Sequence, residues 1–220
     1  MSARAYYPLF ADLRDRRCLI VGGGAVAQRK VTTLLRYGAR ITVVSPILTR
    51  RLAAYAGRGV IRHQARPFSP GDLRGVWLVY AATDDQRVNE SVYRTATRRR
   101  IFTNVVDQPS LCSFIAPAIF RRGLLTIAVS TGGASPSLAK QMRRDLARMV
   151  GAEYASMGRL LLSLREAAKR RLPTFAGRKR YFAQLLRGRV FQLVRAGRTQ
   201  EARRVAKRLL ARHAVNGLSQ

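Results

Sequence analysis

The sequence predicts an α/β fold over its first half and an all-helical domain over its last third. Three observations predict it. An unbroken apolar run, Cys18-Leu19-Ile20-Val21, leads directly into Gly22-Gly23-Gly24-Ala25-Val26-Ala27. Strand-like and helix-like patterns then alternate as far as Val106. From about Gly151 onward only helical periodicity remains. Alternating strands and helices build a parallel sheet covered on both faces. Strands of such sheets read as continuous apolar runs rather than as apolar/polar alternation.

The first strand spans Arg17 to Val21. The glycine segment fits G-x-G-x-x-G/A, with Gly22, Gly24 and Ala27 at the required places. Alone this motif is weak; the strand before it and the helix after it give it meaning. That helix runs from Ala25 to about Tyr37, with Val26, Arg29, Lys30, Thr33, Leu34 and Tyr37 in register, and Gly38 ends it as a C′ glycine. Ile41 to Val44 is the second strand and completes a βαβ unit of about 30 residues, the start of a Rossmann-type domain. Ser45-Pro46 reads as N-cap and first residue of a helix from Ile47 to Ala56. Val60 to His63 is a short strand and Val76 to Ala82 a stronger one. Thr83, with Gln86 three residues on, reads as a capping box for a helix reaching about Arg99. Ile101 to Val106 is the last strand and delivers Asp107 at its carboxyl end. Ser135-Pro136 opens a helix from Ser137 to Met149. In the final third, Tyr154, Met157, Leu161, Leu164 and Ala168 share one helical face, and Ala202, Val205, Ala206, Leu209 and Leu210 another. Pro173, Gly177 and Gly197 mark breaks between helices.

The glycine turn carries the first functional implication. Glycines let the backbone approach a pyrophosphate, and the helix N-terminus offers it unpaired N–H groups and partial positive charge. The acid that usually bonds the ribose 2′-hydroxyl, about 20 residues on, has no counterpart at Val44-Ser45-Pro46-Ile47. Ser45 is either a ribose or amide partner or simply a cap. Arg50 and Arg51 lie nearby, so NAD and NADP both stay open on the residues alone. Thr83 and Asp84 are cap residues or cofactor neighbours. Asp107 begins Asp107-Gln108-Pro109-Ser110, which reads as a turn or as a carboxylate placed for proton transfer. His63 and His213 stand isolated and read as strand or surface residues.

Composition bounds the rest. The chain carries 42 Lys plus Arg against 11 Asp plus Glu, a net charge of +31. That balance concerns partners and solubility rather than fold. A basic proteome, a nucleic-acid partner and a small polyanionic ligand each account for it. No stretch approaches the roughly 18 apolar residues of a membrane span, and Met1 to Phe10 lacks a signal-peptide core. The two cysteines, Cys18 and Cys112, show no metal-site spacing, and no metal ligands are assigned. A reduced, cytoplasmic setting is expected.

Five stretches, in order, then carry a resemblance. They are Tyr7-Pro8-Leu9-Phe10; Cys18 to Ala27 with Arg29-Lys30; Ala81-Ala82-Thr83-Asp84-Asp85; Asn104-Val105-Val106-Asp107; and Val129-Ser130-Thr131-Gly132-Gly133-Ala134-Ser135-Pro136. Together they resemble the N-terminal region of siroheme synthases, in the short, stand-alone form of a precorrin-2 dehydrogenase without the methyltransferase domain. The resemblance implies NAD-dependent oxidation of precorrin-2 to sirohydrochlorin, with Fe²⁺ entering only as a chelatase substrate. It implies a homodimer, an NAD-binding domain over 1–113, a dimerisation segment over 114–149, and a helical, Arg-rich domain on the tetrapyrrole side over 150–220. It places Ala25, Val26, Pro46 and Ile47 against NAD, matches Asp107 to the family's essential aspartate, and puts Asn104, Thr131 and Gly132 on the substrate side. Thr131 keeps a hydroxyl where some members carry serine. The other reading of the chain is a nucleotide-sensing module with a basic, nucleic-acid-binding helical tail.

Overall fold

A computed structural model describes residues 5–216; the first four residues of the Met1–Phe10 stretch and the last four of the helical domain lie outside it. The chain divides into two compact units, one of residues up to 116 with 132–134, the other of 117–131 with the residues from 135 on.

The first unit is a parallel five-stranded sheet in the order β3-β2-β1-β4-β5. Its strands are β1 (Arg17–Val21), β2 (Arg40–Val44), β3 (Arg62–Gln64), β4 (Leu78–Ala81) and β5 (Phe102–Val105). Its helices are α1 (Ala25–Leu35), α2 (Arg50–Gly57) and α3 (Gln86–Arg98). Successive side chains of a strand point to opposite faces, and the core follows that rule. Cys18, Ile20, Ile41, Val43, Leu78 and Tyr80 face α1 residues Ala27, Val31 and Leu34. Leu19, Val21, Val44, Val79, Ala81 and Val105 face α3 residues Val92 and Ala96. Apolar residues at consecutive positions therefore mean burial on both sides, as the first strand's unbroken run predicts. Strand order reverses between β1 and β4, the switch point where such sheets bind ligands beyond their carboxyl ends.

Local chemistry places some boundaries differently from the sequence reading. Helix α1 stops at Leu35, two residues short of Tyr37, and closes as a Schellman motif: Gly38 N–H donates to Leu35 O and Ala39 N–H to Leu34 O, with Gly38 at φ +73°. Ser45-Pro46 does not open α2. Ser45 N–H continues the sheet ladder to Gln64 O, and its hydroxyl donates to Ile47 O at 2.8 Å. Thr49 caps α2 instead, accepting from Leu52 N–H. Thr83 likewise cedes the cap of α3 to Asp85, whose carboxylate accepts from Arg87 and Val88 N–H. Beta-strand β3 is three residues long and begins at Arg62 rather than Val60.

The second unit holds a hairpin, β6 (Ala118–Arg122) and β7 (Leu125–Val129), then α4 (Pro136–Met149), α5 (Ala152–Arg171), α6 (Phe175–Arg187), α7 (Arg189–Arg195) and α8 (Thr199–Asn216). The hairpin has no counterpart in the sequence reading, because its turn is formed by Gly123 and Leu124 without an Asn-Gly signal. Ser135 caps α4 as expected, accepting from Leu138 N–H at 3.2 Å. Met157, Leu164 and Ala168 of α5 pack with Ala202, Ala206 and Leu210 of α8. Leu161 is partly buried against that core and Leu160 is buried in it, while Tyr154 is 37% exposed with its ring against Phe191. Gly177 is not a break: it lies in the first turn of α6, donating to the Thr174 hydroxyl, and Gly188 separates α6 from α7.

One ion pair of the first unit makes stability depend on pH. The Asp72 side chain is only 6% exposed, and it accepts from the Arg66 guanidinium and from Ser69 N–H. Arg66 foremost, then the Ser69 amide, hold its carboxyl below the ordinary carboxylate range despite burial. A depressed folded pKa stabilises the fold above the unfolded value, about 4, and loses that contribution as pH falls through the folded value. Arg66→Met is expected to cost about 1–2 kcal/mol at pH 7. The difference from wild type should shrink as pH falls below the ordinary carboxylate value, about 4, read from urea midpoints at pH 7 and at acid pH.

Candidate functional site

All five strands of the first unit run parallel, so their carboxyl ends share one edge. The sequence-predicted residues Gly22, Gly24, Ala25, Val26, Ser45, Pro46, Ile47, Thr83, Asp84, Asn104 and Asp107 fall on the segments at or just beyond that edge. Thr131 and Gly132 lie instead on the segment between β7 and α4.

Gly22 leaves β1 at φ +111°, and a Cβ there would collide with the Ala82 carbonyl at the end of β4. Its N–H donates to Val44 O of β2, so the turn is tied to both neighbours of β1. A Cβ on Gly23 would strike the Ile47 carbonyl. Gly24, by contrast, meets nothing within 4 Å and is exposed. It is the N-cap of α1, no side chain caps that helix, and no acid occupies its first turn. The first amides of α1, from Ala25 on, therefore receive no side-chain cap and carry positive partial charge. The arrangement is a cradle for an anion: two glycines excluded from bearing side chains for want of room, and a third with room left over.

The segment after β2 wraps onto this turn. Thr49 N–H donates to Gly23 O at 2.9 Å, and the Thr49 hydroxyl donates to Gln28 Oε1 of α1 at 2.7 Å. Pro46 and Ile47 are exposed, Ile47 at 79%. Ser45 is buried and its hydroxyl is engaged with Ile47 O. His63 Nε2 lies 2.9 Å from Ser45 O; a carbonyl only accepts, so that nitrogen carries the proton and His63 braces the end of β2. After β4, the Thr83 hydroxyl bonds both the N–H and the carbonyl of Asp85, and Asn89 Nδ2 donates to Thr83 O. Thr83 thus holds the loop in shape and leaves Asp84 exposed.

Beta-strand β5 ends with Val106 N–H on Ala81 O, and the chain then turns at Asp107 with φ +60°. Few non-glycine residues adopt that conformation; Asp and Asn are among those that do. The Asp107 side chain is exposed at the edge. Beside it, Asn104 is buried, its Nδ2 donating to Phe114 O, and the Cys112 thiol bonds Val105 O. Lys30 of α1 sits over the Tyr80 ring, 4.7 Å from its centroid, and feels the Asp107 carboxylate. The sequence reading placed Lys30 in helical register and within the Arg29-Lys30 stretch of the resemblance, without a role. Its signal was position: three residues after Ala27, it borders the inward face of α1.

In the second unit the Thr131 hydroxyl donates to Ser135 O and accepts from Ser135 N–H, both at 3.0 Å, so it braces the entry to α4. Gly132 has φ +63°. Among the described residues no group of His, Cys, Asp and Glu could hold a metal ion, and no helix is long and apolar enough to cross a membrane.

Comparison with known proteins agrees with this geometry. A family model of NAD(P)-binding domains matches residues 9–118. The sirohaem biosynthesis protein central model matches 122–149, and the sirohaem synthase dimerisation region matches 153–210. The chain is 43% identical over 204 residues to a siroheme synthase of Methylobacillus flagellatus, covering 93% of this chain and 44% of that protein. It is 43% identical over 205 residues to one of Thioalkalivibrio sulfidiphilus, covering 93% and 42%. It therefore spans less than half the length of these relatives. A solved structure, SirC, a precorrin-2 dehydrogenase, matches with TM-score 0.76 and 27% identity, over 92% of this chain and 100% of that one. Three family models in sequence order, on a parallel sheet of the kind that binds dinucleotides, place the chain in the siroheme synthase family, in its NAD(P)-binding, central and dimerisation regions.

Proposed function

We propose that this chain oxidises precorrin-2 to sirohydrochlorin with NAD⁺, acting in the cytoplasm as a homodimer. One observation carries the reading. A carboxylate held in a left-handed turn at the end of β5 shares the sheet edge with an uncapped helix N-terminus at the glycine turn. The name of the matched structure, covered over its full length, supports the same substrate.

The residues fit a dinucleotide. Gly22, Gly24 and the first amides of α1, at Ala25 and Val26, would hold its pyrophosphate, with Pro46 and Ile47 alongside. NAD⁺ rather than NADP⁺ rests on the resemblance at Ala25-Val26 and Pro46-Ile47. When bound, NAD⁺ supplies the hydride acceptor. Asp107 takes the proton that the macrocycle loses as the hydride leaves carbon, which balances the oxidation. Asn104, anchored on Phe114 O, braces the strand that presents Asp107. Fe²⁺ belongs to this reading only as the substrate of a second, chelating step. No match named above supports the nucleic-acid-binding reading, and it is not proposed.

The test is anaerobic: precorrin-2 and NAD⁺ are followed by absorbance, with stoichiometric NADH and sirohydrochlorin as the expected products. Adding Fe²⁺ afterwards reads the second step against the protein-free rate. A folded chain that binds NAD⁺ and yields neither product overturns the proposal. Gly24→Asp separates cofactor from fold. An N-cap aspartate leaves α1 intact or slightly steadier, while its charge opposes the pyrophosphate. NAD⁺ affinity is expected to fall by about tenfold or more at an unchanged melting temperature. Unchanged affinity would move the cofactor away from this turn.

A further inference from the structure

Lys30 has no role in the reading above, and its surroundings are unusual for a lysine. Lysines are seldom buried without a partner. Lys30 is half-buried on α1, against the sheet face lined by Tyr80, Phe102 and Phe114. Its ammonium lies over the Tyr80 ring at 4.7 Å. Among the described residues its ammonium makes no salt bridge: no carboxylate lies within 4 Å. Lys30 is the one lysine among the described residues of the first unit; the described arginines there are all exposed. A single ammonium, three donors strong, is thus held in a partly apolar place over Tyr80, within electrostatic reach of Asp107.

The charges around it are few. Burial first, then Arg29 next to it, favour the neutral amine; Asp107 and the Cys112 thiol favour the charged form. Arg29 is exposed and Cys112 is bonded to Val105 O, which leaves Asp107 as the carboxylate whose charge favours the ammonium. The pair attract without touching. An ammonium with open donors, desolvated by one ring, gains more from an arriving anion than a surface lysine does, because water screens it less.

Resting on the proposed reading, we infer that Lys30 is a substrate-binding residue, its ammonium pairing with a side-chain carboxylate of the tetrapyrrole next to Asp107. Precorrin-2 and sirohydrochlorin are both polycarboxylates, so substrate and product share the contact. The Tyr80 ring fixes the ammonium laterally, and the pairing sets which edge of the macrocycle meets Asp107. The role is positional: Lys30 transfers no proton in the oxidation.

Two variants and one control test it. Lys30→Met keeps the stem on the Tyr80 ring and removes the charge; Lys30→Arg keeps the charge. Arg29→Gln removes an adjacent, exposed charge. Sirohydrochlorin binding is read by quenching of Trp77, the chain's one tryptophan, which packs 4.9 Å from Phe102 on the same sheet face. Precorrin-2 KM and kcat, and NAD⁺ affinity, are read separately. Lys30→Met is expected to weaken sirohydrochlorin binding and raise KM by about tenfold, with NAD⁺ affinity unchanged, Lys30→Arg near wild type and Arg29→Gln within about twofold. Equal sirohydrochlorin affinity in Lys30→Met and wild type overturns the inference. So does an equal loss in Arg29→Gln, which would make the effect one of bulk charge. If wild type binds sirohydrochlorin through Lys30 yet oxidises nothing, the inference stands and the dehydrogenase reading falls. If wild type binds no tetrapyrrole, both fall.

Discussion

Asp107→Asn is expected to lower kcat for precorrin-2 oxidation by about 10²–10⁴-fold, the usual contribution of a positioned general base, with NAD⁺ affinity unchanged. Asparagine is the informative replacement. It tolerates the left-handed backbone, φ +60°, that Asp107 adopts, so the turn after β5 survives. It is nearly the same size, and it cannot accept the proton. The loss should appear in kcat and kcat/KM alike, since the interaction is one made in the transition state. Retained turnover would remove Asp107 from the mechanism and return it to the turn residue that Asp107-Gln108-Pro109-Ser110 also describes. Asp107→Ala mixes the two effects, because alanine opposes the backbone as well.

Gly22→Ala is expected to strike the fold itself. Its φ of +111° lies where side chains are strained, and the added Cβ would overlap the Ala82 carbonyl. That carbonyl is at the end of β4 in the middle of the sheet and has little freedom to move. Strain and overpacking together should cost on the order of 3 kcal/mol, which for a chain of this size lowers the melting temperature by roughly 10 °C. NAD⁺ binding should fall with it. Gly24→Ala is the contrast: its added Cβ meets no atom within 4 Å, and the expected cost is only the weaker N-cap, about 1 kcal/mol or less. Equal melting temperatures for the two alanine variants would mean that β1 and β4 do not meet at Gly22. The two positions of one motif thus do different work, Gly22 joining strands and Gly24 leaving space.

The candidate site was legible where chemistry is local. Gly22, Gly24 and Asp107 announce themselves by residue type beside a strand end, and Ser135-Pro136 names a helix start that the structure keeps. Where neighbouring residues compete for one task, the sequence could not choose. Ser45 and Thr49 are both able to cap α2, and Thr83 and Asp85 both able to cap α3. The choice fell to Thr49 and Asp85 because Ser45 is still part of the β2–β3 ladder and the Thr83 hydroxyl is spent on Asp85. The burial of Lys30 was not legible in the sequence, for another reason. A lysine beside an apolar helix face usually bends to solvent; only the packing of α1 against Tyr80 turns it into a half-buried charge.

By itself, then, the sequence determined the strand–glycine–helix unit, the alternation that makes a parallel sheet, the helical last third and the carboxylate at the end of β5. Apolar periodicity and backbone preferences act over a few residues and are written in those residues. The tertiary structure alone decided the strand order β3-β2-β1-β4-β5, which sets the glycine turn and Asp107 on one edge around the β1–β4 switch point. It alone decided the hairpin β6–β7, the true caps, and the desolvation of Lys30. Those depend on residues far apart in the chain meeting in space, where burial, hydrogen-bond competition and electrostatics are settled by the neighbours that the fold supplies.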